Sequence, residues 1–129
     1  MKSPLLLLPT FLLILLSGCN TVVSPSISGK WTVSENGKTE AILVLGPGDV
    51  FQADLPAADG VEVKGILRKQ GREITFVNQS GTDAISSNPE PGVYMYQLDG
   101  DELTFSKISD PIPRRAKFLA KTWTRASAD

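Results

Sequence analysis

The feature that most narrows what this chain can fold into is a hydrophobic period of two. From Gly29 onward, apolar and polar residues alternate in short runs separated by turn signals. Trp31 and Val33 share one face of the first run. Asn36-Gly37 follows, a pair that tolerates the positive φ of a tight hairpin. Ala41–Leu45 is continuously apolar, and Gly46-Pro47-Gly48-Asp49 turns the chain. Phe51, Ala53 and Leu55 then oppose Gln52 and Asp54, and Val63 and Leu67 oppose Glu62 and Lys64. Gly65 marks a bulge or a bend. Ile74 and Phe76 alternate with Glu73 and Thr75, and Gly92–Leu98 places Tyr94 and Tyr96 opposite Val93 and Met95. Asp99-Gly100-Asp101 leads into Leu103-Thr104-Phe105, and a last strand near Leu119–Arg125 carries Trp123. Regular short strands with such turns indicate a sandwich or a barrel. A meander of eight would expose two edges, which closure removes. The expected fold is all-β: an eight-stranded antiparallel up-and-down barrel. The one helix candidate, of a turn or two, lies between Arg114 and Ala120, before the last strand. Phe51, Leu55, Val63, Leu67, Phe76, Leu103 and Phe105 are expected inside, and Gln52, Glu62 and Lys64 outside.

The segment before the alternating region has a different character. Lys2 precedes an apolar run, Leu5–Leu16, broken only by Pro9 and Thr10. About 20 apolar residues are needed to span a bilayer, so the run fits a signal peptide better than a membrane helix. It ends in Leu16-Ser17-Gly18-Cys19, which resembles the lipobox of bacterial lipoproteins. That resemblance implies a signal peptide over residues 1–18 and a diacylglyceryl thioether on Cys19, usually with an acylated amine. A second or third acyl chain makes such an anchor effectively permanent, since each buried CH₂ contributes about 0.8 kcal/mol. Residues 19–28 read as the lipidated Cys and its Ser/Thr-rich tether, residues 29–125 as the barrel and 126–129 as a tail. Asn20, rather than Asp, follows the Cys. By resemblance to Gram-negative sorting this favours the outer membrane facing the periplasm, or the outer face of the cytoplasmic membrane in a single-membrane cell.

Composition removes several function classes. The chain has no His, and Cys19 is its one cysteine. The commonest general base, Cys/His nucleophilic pairs, typical zinc sets and a haem-ligating His are therefore missing. With 13 basic and 14 acidic side chains, nothing points to a polyanion partner, and no nucleic-acid motif is present. Asp99-Gly100-Asp101 is too short for a calcium loop, which needs six or more oxygens. Gly46-Pro47-Gly48 lacks the N–H, the helix and the Lys-Ser/Thr of a phosphate loop. The expectation is a binding protein, not an enzyme, with no cofactor and no metal.

Gly29-x-Trp31 resembles the Gly-x-Trp signature of lipocalins and related calycins. The late segment, with Gly92-Val-Tyr94-x-Tyr96, Asp99-Gly100-Asp101-x-Leu103-Thr-Phe105, Asp110-Pro111, Arg115 and Trp123-Thr-Arg125, resembles bacterial lipocalin-like domains. The resemblance spans most of residues 29–125. It implies a late arginine closing over the first-strand tryptophan, with Arg115 the better match and Gly29, Trp31 and Arg115 together closing the barrel. Ile112 stands where many such chains have a cysteine.

Several residues admit two roles. Trp31 either lines a ligand pocket or plugs the barrel end. Arg115 either binds an anion or stacks on Trp31. Tyr94 and Tyr96 are placed on the outer face, as a contact stripe for a ligand or partner or as a cross-strand packing pair. The longest connection, 79–91, falls at the end away from the anchor, with 36–38, 56–60 and 109–117. Long loops on a rigid scaffold often carry binding. The leading expectation is a membrane-anchored lipoprotein whose barrel binds a small apolar or amphipathic ligand. The alternative is a filled barrel that contacts an envelope protein or cell-wall partner through its loops.

Overall fold

A computed structural model describes residues 26–56, 61–81 and 88–126. The leader, Cys19, most of the tether, the loop segments 57–60 and 82–87 and the end of the tail lie outside the described residues. Eight strands run in chain order: β1 (Gly29–Glu35), β2 (Lys38–Leu45), β3 (Val50–Leu55), β4 (Val61–Gln70), β5 (Glu73–Gly81), β6 (Gly92–Asp99), β7 (Glu102–Ser109) and β8 (Trp123–Arg125). One helix, α1 (Pro113–Leu119), precedes β8. Each strand pairs antiparallel with the next, and β8 returns to β1, closing the barrel through Trp31↔Arg125 and Thr32↔Thr124.

Local chemistry sets the corners. Asn36 and Gly37 adopt φ of 54° and 78°, the left-handed pair that a two-residue hairpin requires. Gly65 sits at a register shift between β4 and β5. A methyl group there would lie 2.1 Å from the Val77 carbonyl oxygen and 2.7 Å from the Phe51 ring. Only glycine lets the strand bend this closely over the core. Pro113 starts α1 at a position where its missing N–H costs nothing.

The interior is apolar and largely aromatic. The Phe76 ring stands edge-on to Phe51, Tyr94 and Phe105, with centroids 5.1, 6.0 and 5.7 Å away. Such contacts contribute about 0.5–1.5 kcal/mol each beyond area burial. Phe51, Leu67, Phe76, Leu103 and Phe105 are buried as the alternation requires. Leu55 and Val63 are only half-buried, because they lie at the open end of β3 and β4 beside a cavity. Lys64 is exposed, whereas Gln52 and Glu62 are half-buried on the outer wall, where Gln52 Nε2 donates to Glu62 Oε2 at 2.9 Å.

One face assignment is reversed. Tyr94 is 1% exposed and points inward, and half-buried Tyr96 packs against the same core, while Met95 faces out. The alternation on β6 was legible, but two tyrosines and two apolar residues do not reveal which pair is inside. The inner space and a polar partner for the Tyr94 hydroxyl, supplied by Asp110, decide it.

The meander gives the barrel two ends. Residues 26–28 and the turns 46–49, 71–72 and 100–101 form the tether end. The hairpin at 36–37, residues 88–91 before β6 and the segment 110–122 with α1 lie at the other, the loop end.

Candidate functional site

At the tether end, Trp31 is fully buried and its indole Nε1 donates to the Ile27 carbonyl at 2.9 Å. The guanidinium carbon of Arg125 lies 4.3 Å from the Trp31 ring centroid. Arg125 also donates to the carbonyls of Ser26, at 3.0 Å, and Ser28, at 3.3 Å. Gly29 lies beneath it with a φ of +127°, which favours glycine, and a Cβ there would only touch the Arg125 Nη1, at 3.6 Å. Gly29 and Trp31 lie together at this end, and the arginine over the Trp31 ring is Arg125, not Arg115. The physical reason is the parity of the meander. A residue between β7 and β8 lies at the loop end, and only after crossing β8 does the chain regain the end where Trp31 sits. Trp31 does not line the cavity described below.

Arg115 instead organises the loop end. Its Nε donates to Asp110 Oδ2 at 2.8 Å and its Nη2 to Asp110 Oδ1 at 2.7 Å, a bidentate pair. Nη2 also donates to the Glu90 carbonyl at 2.8 Å, and Nη1 to Asn78 Oδ1 at 3.2 Å. Tyr94 donates its hydroxyl proton to Asp110 Oδ2, and the Ile112 N–H donates to Oδ1. The Asp110 side chain has no exposed surface, and Arg115 is 7% exposed. The network ties β5, β6, α1 and the β5–β6 and β7–α1 connections into one unit. It also explains Gly92, where a Cβ would stand 2.5 Å from Asp110 Oδ2 and 2.8 Å from Arg115 Nε.

The electrostatics favour one protonation state. Burial on its own would raise the Asp110 pKa, but hydrogen bonds from Arg115, Tyr94 and the Ile112 N–H outweigh it and hold the carboxylate below its usual range. Burial, then the hydrogen bond to Asp110 and its negative charge, push the Tyr94 phenol upward, with Arg115 opposing. The pair is therefore ionised and the phenol neutral.

Above this network α1 lies across the mouth of the barrel with Phe118 and Leu119 buried. Between α1 and the walls of β3 and β4 is a cavity of about 50 Å³. Leu43, Phe51, Ala53, Leu55, Val63, Phe76, Phe118 and Leu119 supply apolar surface to it, with Ile112, and Asn78, Arg114 and Arg115 the polar groups. A second, exposed feature of the loop end is the carboxylate pair Glu35 and Glu40. The hydrogen bond between them, then their repulsion, raises the pKa of Glu40.

No family model matches the chain, and no curated protein matches it. The site is therefore read from its own residues. Of the residues singled out in the sequence, the structure brings Tyr94, Asp110 and Arg115 together and places Trp31 and Gly29 at the opposite end. Tyr96, half-buried against the core, donates its hydroxyl to the Gly71 carbonyl at 3.3 Å, at the tether end. Asn78 was overlooked. Its signal was present, since it continues the inward series Ile74, Phe76, Asn78, and an inward polar residue requires a partner. Among the described residues, no group of three or more metal-ligating side chains occurs.

Proposed function

We propose that this protein is a membrane-anchored envelope lipoprotein whose barrel is a filled scaffold, binding an envelope protein or cell-wall partner through its loop end. The observation that carries this reading is the interior. Aromatic side chains occupy the barrel, and the cavity beneath α1 measures about 50 Å³. Ligand sites of drug-like size run to about 300–1,000 Å³. An eight-stranded barrel is either filled by side chains or holds one small ligand, and the packing favours the first. The cavity suits one inserted apolar group, such as a side chain of a larger partner. The residues around it suit recognition better than catalysis, because Asp110 and Tyr94 are committed to each other and to Arg115.

The anchor rests on the lipobox resemblance of Leu16–Cys19, and the assignment to the calycin-like class on the motifs around Trp31 and Arg125. A second reading, a small apolar or amphipathic ligand, draws support from the apolar lining of the cavity. Calorimetric titration of the mature protein with a medium-chain fatty acid separates the two. The filled-barrel reading expects no saturable binding below about 1 mM. One-to-one micromolar binding that disappears in Ala53→Phe, which fills the cavity, would overturn it in favour of the ligand.

A further inference from the structure

The tether end carries a group of charges that neither the barrel closure nor the loop-end network uses. The β4–β5 hairpin presents Arg68, Lys69 and Arg72, all exposed, within five residues. Lys69 lies over the Tyr96 ring at 5.8 Å. Among the described residues, no ion pair engages Arg68 or Arg72. Two of the exposed large apolar residues flank this tip on the outer wall: Val50 on β3, 51% exposed, and Met95 on β6, 38% exposed. Val50 pairs with Ile66, two residues before Arg68, and Met95 pairs with Glu73, next to Arg72. Of the acidic residues at this end, Asp99, Asp101 and Glu102 cluster on the β6–β7 turn, while Glu73 beside Arg72 and Asp49 on the β2–β3 turn leave the tip with a smaller net positive charge.

The chain outside the described residues fixes what this surface meets. The first described residue, Ser26, emerges at the same end. Only residues 19–25 separate it from Cys19, a reach of about 24 Å at full extension. On the lipoprotein reading, on which this inference rests, that holds the basic tip near the bilayer to which the protein is attached.

We propose that the β4–β5 hairpin is a membrane-contact foot. Arg68, Lys69 and Arg72 engage the anionic phospholipid headgroups of the anchoring leaflet, and Val50 and Met95 settle against the interface beside them. The acidic β6–β7 turn is repelled, so the barrel leans toward β4–β5 and turns its loop end outward. Basic residues near an anionic surface each favour contact by about fivefold, falling off over a Debye length of about 8 Å. Three together favour the docked posture by roughly 100-fold.

The test uses the mature chain, residues 19–129, coupled through Cys19, its one thiol, to a maleimide lipid in vesicles. The chemistry imposes the tether whatever the cell does, so this experiment reads the foot alone. Mass spectrometry of the mature N-terminus from the native host reads the lipoprotein assignment separately. Trp31 and Trp123, both fully buried, donate fluorescence energy to dansyl headgroups and so report the height of the tether end. Transfer should be higher on vesicles with about one-third phosphatidylglycerol than on phosphatidylcholine, and should fall to the neutral-vesicle value in 0.5 M salt. In the triple variant Arg68→Gln, Lys69→Gln, Arg72→Gln the docked-to-free ratio should fall roughly 100-fold. Matching thermal unfolding of wild type and variant establishes that the fold is intact. Equal transfer on both vesicles, or a folded triple variant that docks like wild type, would overturn the proposal.

Discussion

Replacing Asp110 with Asn should unlock the loop end. The carboxylate accepts four hydrogen bonds, two from Arg115, one from Tyr94 and one from the Ile112 N–H. An amide of the same shape offers one oxygen and turns an NH₂ group toward donors on the other side, so at least one contact becomes donor against donor. It also removes the one countercharge that, among the described residues, reaches Arg115, which is 7% exposed. Leaving one partner of a buried ion pair uncompensated costs about 3–5 kcal/mol. That is a large share of the roughly 5–15 kcal/mol by which a domain of this size is stable. With a urea slope of about 2 kcal/mol per molar, the unfolding midpoint should fall by about 2 M. Tyr94→Phe removes one of the four bonds and leaves Asp110 three, so its cost belongs near 1.5 kcal/mol. The two losses should be non-additive, because they act on the same carboxylate. The sign with pH follows from the folded-state shifts. Asp110 is held below its unfolded value of about 3.9, so its contribution is full above that pH and is lost as pH falls through the folded value. Tyr94 is raised above about 10, so its contribution is full below that pH and declines as pH rises beyond it. Wild type should therefore lose stability below pH 4 more steeply than Asp110→Asn. A loss under about 1 kcal/mol in urea, with unchanged acid sensitivity, is the behaviour of a solvated surface pair and would refute this account.

Two further perturbations follow from the closure and the bend. Arg125→Lys keeps the charge but loses the flat fork over Trp31 and one of the carbonyl contacts, and should cost about 1–2 kcal/mol in thermal unfolding; an unchanged midpoint would remove Arg125 from the closure. Gly65→Ala drives a methyl into the Val77 carbonyl and the Phe51 ring, and should cost about 1–3 kcal/mol or more, lowering Tm by about 4–8 °C per kcal/mol. A Gly65→Ala variant as stable as wild type would mean that β4 is free to shift away from Phe51.

The barrel was legible because period-two alternation and turn chemistry are local properties. Asn36-Gly37, Gly65 and the inward series Phe51, Leu67, Phe76, Leu103 and Phe105 could each be placed from neighbouring residues. What required the third dimension was which end of the barrel a residue reaches. Arg115 and Arg125 are ten positions apart and both follow β7, but one short strand separates them, and crossing it carries the chain from one mouth to the other. Tyr94 was misplaced for a related reason. Its alternation was clear, but its face depended on Asp110, sixteen residues away. Asp110 and Arg115 could be singled out by type, whereas their pairing with Asn78 and the Glu90 carbonyl depends on how two connections cross the same mouth.

The strand that closes the barrel is three residues long and follows the other seven in the chain. Arg125 donates to the Ser28 carbonyl across a separation of 97 residues. Until that contact forms, β1 and β7 are open edges and Trp31 has no lid. The core cannot be completed until β8 has docked, however well β1–β7 have paired. Contacts so distant in sequence form slowly, and open strand edges invite pairing with other chains meanwhile. Loss of β8 would thus leave the barrel like a cask without its last stave.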